Sequence, residues 1–237
     1  MSSAAQPGPL ALVGSGEFLP QMAEIDRWLL AGRPPRAAFL ATAAGLEGPE
    51  TVSRWLALGV EHYRRLGVEP VPVPVIERAD ADDPDHAAAF EGCGLVYLSG
   101  GHPAYLAATL RGTAVWTAIE RAWRAGAALA GCSAGAMALS AEAPSVRGDR
   151  PDEPGLALVA HVAVIPHFDR IAAWDPTLVA RRTARPTPGR TVVGIDEDTA
   201  LVGGPQRWTV MGRGTVTVFE PAGPVVHHPG DVVLLEP

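Results

Sequence analysis

The chain predicts an α/β fold, a three-layer sandwich with a mostly parallel central sheet and a C-terminal β-hairpin region. Three observations carry that reading. Apolar runs of strand length alternate with helix-period patterns from residue 10 to about residue 140, as strand–helix–strand units require. Several of the runs read as buried strands, as strands covered on both faces do. Glycines and polar groups recur where three of these runs stop, in "GSGEF", "SGGH" and "GCSAG". In parallel sheets, function gathers at those carboxyl ends.

Taken in order, "LALVGSG" (10–16) reads as a buried strand ending in a glycine turn, and 21–31 has helix periodicity through Ile25, Trp28 and Leu29. "AAFLATA" (37–43) is a second strand, and 49–66 a long amphipathic helix opened by Pro49, which suits a first helical position. "VEPVPVPV" (68–75) alternates, and its prolines assign it to a sheet edge. "GLVYLSGG" (94–101) is the next buried strand, followed by helices over 103–111 and 114–125. "AALAGCS" (127–133) runs straight into the short helix pattern "AGAMALSA". A loop rich in Pro, Asp and Gly (143–155) precedes strands "VAVIPHF" (162–168), "TVVGIDE" (191–197) and "TALVGG" (199–204). "WTVMGRGTVTVFEP" and "DVVLLEP" read as a hairpin region with "GRG" as its turn. With no internal repeat or clear linker, residues 1–237 read as one domain.

Composition narrows the chemistry. A formal net charge of −7 gives no basic field to draw nucleic acid. No apolar run approaches the roughly 20 residues that span a bilayer, and the N-terminus lacks the basic region of a signal peptide. Cys93 and Cys132 are too few for a disulfide scaffold, so a reduced, cytoplasmic setting is expected. All 19 basic residues are Arg, and there is no Lys and no Asn. That removes a Ser–Lys dyad, a Schiff-base lysine, a phosphate-binding P-loop and a Cys-His-Asn triad. No metal-ligand spacing occurs; "HH" at 227–228 reads as part of the turn before the last strand. Neither metal nor cofactor is expected.

"GCSAG" fits G-x-S-x-G at a strand-to-helix junction, the context in which the motif exposes its serine. Ser133 is the candidate nucleophile, and Cys132, in the strand, reads as packing. A serine needs a base. His62 and His86 lie on polar helical stretches and read as solvated; His161 precedes a strand and reads as an ordinary buried histidine. His167 ends the strand "VAVIP" at the edge that Ser133 occupies, which makes it the preferred base. Asp196, Glu197 and Asp198 end another strand, where a carboxylate could orient the imidazole. Tandem Gly100–Gly101 closes a buried strand, so its backbone N–H groups can join that of Ala134 in an oxyanion hole.

"GSGEF", "YLSGGHPAYL", "GCSAGAMAL", "VIPHF" and "VVGIDEDTALV", in that order, resemble the aspartyl dipeptidase (peptidase E) and cyanophycinase family of serine peptidases. The resemblance covers most of the chain and implies a class I glutamine-amidotransferase-like, flavodoxin-like fold. It implies Ser133 as nucleophile, His167 as base, Glu197 as third member, and Gly101 and Ala134 as oxyanion positions. Asp149 and Asp169 are the alternatives to Glu197. His102 stands where the family often has Asn or Asp, and the family's arginine pattern does not align onto "DRIAAWDPTLVARRTAR". Gly100, His102 and Arg170, with Arg181 and Arg182 behind, are therefore the candidate substrate contacts. The expected substrate is a small peptide or isopeptide, aspartyl-linked, cut through an acyl-enzyme by a monomer or homodimer. Three competing readings remain: an α/β-hydrolase using Ser133, Asp198 and His228, a thiol enzyme using Cys132, and a silent binding protein on the same fold.

Overall fold

The computed structural model describes residues 6–145, 150–184 and 188–236. The main sheet has eight strands: β1 (Leu10–Val13), β2 (Arg36–Leu40), β3 (Glu69–Val73), β4 (Leu95–Leu98), β5 (Ala128–Cys132), and, later in the chain, Thr199–Gly203, Arg207–Gly212 and Val232–Leu234. Two two-residue strands, β6 (Glu142–Ala143) and β7 (Glu153–Pro154), pair with each other; β8 (Val162–Ile165) and β9 (Thr191–Ile195) come next, so the three later strands of the main sheet are β10, β11 and β14. A second sheet holds β8 and β9 with β12 (Val216–Glu220) and β13 (Gly223–His227).

In the main sheet β1, β5, β4, β2 and β3 are neighbours in that order and all parallel. Strands β10, β11 and β14 extend it beyond β1 in antiparallel register. Two hydrophobic clusters lie on its two faces. On one, α1 (Ala23–Leu30) and α2 (Pro49–Arg65) bury Ile25, Leu29, Val52, Leu56 and Tyr63 against Phe39 and Tyr97. On the other, α3 (Arg78–Ala81), α4 (Pro84–Ala88), α5 (Pro103–Leu110), α6 (Ala114–Arg124) and α7 (Ala134–Leu139) share a core with Val164, Val193 and Val218 of the second sheet. Helices α8 (Phe168–Trp174) and α9 (Pro176–Thr183) follow β8. No helix among the described residues is long and apolar enough to cross a membrane.

Strand β3 is the sheet edge, so the missing N–H groups of Pro70 and Pro72 remove no bond to an outer neighbour. Three expectations need correction. "GRG" is not a hairpin turn: β11 pairs with β10 and β14, while β12 pairs with β9 and β13, so residues 213–215 carry the chain from one sheet to the other. The hairpin is β12–β13, turning at Pro221 and Ala222. His62 is not solvated. It is 2% exposed and bonded to Asp26 at 2.6 Å across α1 and α2. His86 is half-buried, with Nδ1 on the Asp80 carbonyl oxygen at 2.9 Å.

Candidate active site

Strand β5 stops at Cys132, and Ser133 takes φ 50° and ψ −107°, a left-handed turn that a non-glycine residue adopts only at a cost of about 1–3 kcal/mol. The serine N–H donates to the Val13 carbonyl at 2.9 Å, and its own carbonyl accepts the first bond of α7, from Met137 at 3.0 Å. The flanking glycines permit that sharpness by close approach. A Cβ at Gly131 would lie 2.4 Å from the Gly135 carbonyl carbon, and one at Gly135 would lie 2.3 Å from the Leu98 carbonyl oxygen. The turn thus holds the serine at the strand's carboxyl end with its side chain half-buried.

His167 follows β8 and also has positive φ, 48°. Its Nε2 lies 3.0 Å from Ser133 Oγ, and its Nδ1 lies 3.1 Å from Glu197 Oε1. An ionised carboxylate only accepts, so Nδ1 carries the proton and Nε2 is left to accept from the serine hydroxyl. Glu197 sits between β9 and β10, its N–H donating to Asp169 Oδ1 at 2.9 Å and its Oε2 accepting from Arg170 Nε at 3.1 Å. Hydrogen bonding from His167, and then from Arg170, holds its carboxyl below the usual glutamate range. Of the described residues with positive φ other than glycine, Ser133, His167, Asp198 and Phe18 all line the cavities around this chain.

A cleft of about 840 Å³ opens in front of Ser133, lined by Gly101, Met137, His167, Arg181 and Arg182 among others, a size suited to a small ligand. Gly101 has φ 140°, and a Cβ there would lie 2.4 Å from the Ala43 backbone. Ala134 opens α7, so its N–H has no intrahelical acceptor. Among the described residues neither N–H meets an acceptor. His102 is buried, with Nε2 3.8 Å from Glu47 Oε1, and so faces the structure rather than the cleft. Arg170 is exposed and bound to Glu197 behind the imidazole, outside the lining of this cleft. Arg182 is tied to Glu142 at 3.5 Å, whereas Arg181 makes no ion pair among the described residues.

The competing assignments fare differently. His228 is exposed in the β13–β14 turn, its N–H on Asp231 Oδ2, and Asp198 instead accepts from Gln21, so Ser133, Asp198 and His228 do not assemble. Cys132 is fully buried and donates to Glu17 Oε2 at 2.9 Å. Burial, and then the Glu17 charge, push its thiol well up, which disfavours the nucleophilic thiolate. Of the alternatives to Glu197, Asp169 grips the Glu197 backbone instead of the imidazole, and Asp149 lies outside the described residues. Sequence reasoning gave no role to Glu17, although "GSGEF" placed it at the carboxyl end of β1. Among the described residues no group of three His, Cys, Asp or Glu side chains converges as a metal site.

The serine stands at a strand end of the parallel part of the main sheet and the histidine and carboxylate at strand ends of the second sheet, joined in the order found in serine hydrolases. Residues 10–209 match peptidase family S51, and the chain belongs to that family. A cyanophycinase of Trichormus variabilis is 31% identical over 173 residues, covering 67% of this chain and 56% of that protein. A cyanophycinase of Synechococcus elongatus is 31% identical over 216 residues, covering 80% of this chain and 64% of that one. The chain therefore spans little more than half the length of the first of these relatives. A crystal structure of a peptidase from an acI-B1 Actinobacterium superposes with a TM-score of 0.88 at 37% identity, covering 98% of both chains. A putative peptidase E protein from Listeria monocytogenes shares the fold, with a TM-score of 0.64 at 16% identity over 88% of this chain and all of that one.

Proposed function

We propose that this chain is a serine peptidase that hydrolyses one amide bond of a small peptide or isopeptide through an acyl-enzyme. The observation that carries the reading is the continuous hydrogen-bond path from Ser133 Oγ through His167 to Glu197. Ser133 attacks the carbonyl carbon as His167 Nε2 takes its proton, and Glu197 stabilises the imidazolium. The N–H groups of Gly101 and Ala134 receive the oxyanion, each donor worth about 3–4 kcal/mol. The imidazolium then protonates the departing amine, and water releases the acid by the same path in reverse.

The finer reading is an acidic group beside the scissile bond, recognised by arginine. A carboxylate matches the planar guanidinium fork, and the cleft walls hold Arg181 and Arg182. Of these, Arg181 is the better clamp, since Arg182 already serves Glu142. The test is a panel of Asp-Leu, β-Asp-Leu, β-Asp-Arg, Glu-Leu and Ala-Leu with wild type, Arg170→Ala, Arg181→Ala and Ser133→Ala. The aspartyl substrates are expected to be cleaved ahead of Ala-Leu, Arg181→Ala to erase that preference, and Ser133→Ala to abolish all cleavage. Equal rates across the panel would sink aspartyl selectivity; cleavage by Ser133→Ala would sink the serine mechanism.

A further inference from the structure

The "GSGEF" turn after β1 buries a carboxylate that the Ser–His–Glu chain does not use. Glu17 is 8% exposed and makes no ion pair with an arginine among the described residues. Its Oε1 accepts from the Gly100 N–H at 2.7 Å, and its Oε2 accepts from the Cys132 thiol at 2.9 Å. One buried anion therefore spans the ends of β4 and β5, which carry the oxyanion donor and the nucleophile. Removing a carboxylate from water is costly without strong partners, and a backbone N–H bound to an ionised acceptor is such a partner.

The glycine turn is pinned residue by residue. The Ser99 N–H bonds the Leu40 carbonyl at 3.0 Å, and the His102 N–H bonds the Ala43 carbonyl at 2.7 Å. Glu17 takes the Gly100 N–H between them, so Gly101 holds the one N–H of residues 99–102 without an acceptor among the described residues. Gly100 is wedged tightly: a Cβ there would lie 3.0 Å from Glu17 Oε1 and 3.4 Å from Ser133 Cβ. We propose that Glu17 is a positioning residue of the oxyanion hole, its carboxylate fixing the Gly100 peptide so that the Gly101 N–H stays aimed beside Ser133. This rests on the serine reading above.

The probe is an alkyl fluorophosphonate. Ser133 Oγ displaces fluoride from phosphorus, its proton passes to His167, and the phosphonyl oxygen takes the oxyanion position. Labelling is followed by intact mass for wild type, Glu17→Gln and Glu17→Ala, with far-UV circular dichroism and thermal unfolding on each. Glu17→Ala is expected to lower the maximal labelling rate about 10- to 100-fold, the scale of a misplaced donor, while half-saturating reagent concentration is unchanged. Glu17→Gln keeps an oxygen for the Gly100 N–H and is expected to recover most of the rate, which a purely structural loss would not predict. Full-rate labelling of folded Glu17→Ala overturns the proposal, as does Gln labelling no faster than Ala. If Ala does not fold, a Gln rate below a tenth of wild type overturns it. Wild type left unlabelled overturns the serine reading itself, a separately visible failure.

Discussion

At the residue scale, Glu197 works through two contacts at once, the imidazole on Oε1 and Arg170 on Oε2. Both favour the carboxylate, and the carboxyl is accordingly held below its ordinary value, near about 4.3 in an unfolded chain. A carboxyl depressed by folding contributes stability above its unfolded pKa and loses it as pH falls through the folded one. Glu197→Gln removes the charge while keeping the shape. A buried acid in this role is worth about 10⁴ in kcat; Glu197 is 36% exposed, so solvent screens part of that, and a loss on the order of 10²-fold is expected. The urea midpoints of the two proteins should differ at pH 7 and converge as pH falls below the ordinary glutamate range. Unchanged kcat would remove the carboxylate from the mechanism. Ser133 and His167 were legible from sequence because each lies in a short motif at a strand end. Choosing among Asp196, Glu197 and Asp198 required the resemblance, since adjacent acids on one turn differ only in direction.

At the element scale, helix α2 illustrates why burial of a polar residue escapes a reading by composition. His62 stands among Glu61, Arg64 and Arg65, which suggests a wet face. Yet Val52, Leu56, Gly59 and Tyr63 form the buried stripe, and His62 lies three residues after Gly59, on its flank. What decides its fate is Asp26 on α1, a partner 36 residues away that periodicity within α2 cannot reveal. Burial pushes the Asp26 carboxyl up, against the opposing pull of His62. A carboxyl raised by folding favours the native state at low pH and loses that advantage as pH rises through the raised value. His62→Ala leaves a buried carboxylate without its partner, a change costing about 3–5 kcal/mol. The expected result is marked destabilisation at pH 8 in urea unfolding, progressively relieved as the pH is lowered and Asp26 takes up a proton. A loss of equal size across the pH range would mean that the histidine acts by packing alone.

For the whole molecule, the decisive fact is that the site is shared between two sheets. The main sheet supplies Ser133 after β5 and the glycine turn after β4, while the second supplies His167 after β8 and Glu197 after β9. The apolar runs gave most strands from sequence, but sheet membership is set by long-range pairing, and "GRG" was misread for that reason. The chain crosses between the sheets more than once, and the crossings at 196–198 and 213–215 are stitched together. Asp196 Oδ2 accepts from the Thr215 N–H at 2.8 Å and from its hydroxyl at 2.7 Å, and the Arg213 N–H donates to the Asp198 carbonyl at 2.9 Å. Glu197 rides between these bonds, so on the proposed mechanism the Asp196 carboxylate supports the alignment of His167 with Ser133 while touching neither. Asp196→Ala should cost about 1.5–3 kcal/mol, the range for hydrogen bonds to a charged group, and loosen the acid loop enough to lower kcat roughly tenfold. Asp231, which accepts the His228 N–H in the β13–β14 connection, another crossing between the sheets that carries none of the candidate site residues, provides the comparison. Asp231→Ala should cost stability without touching kcat, because that turn supports no catalytic side chain. Full kcat in Asp196→Ala, or an equal fall in Asp231→Ala, would show that the sheets hold their alignment without this crossing.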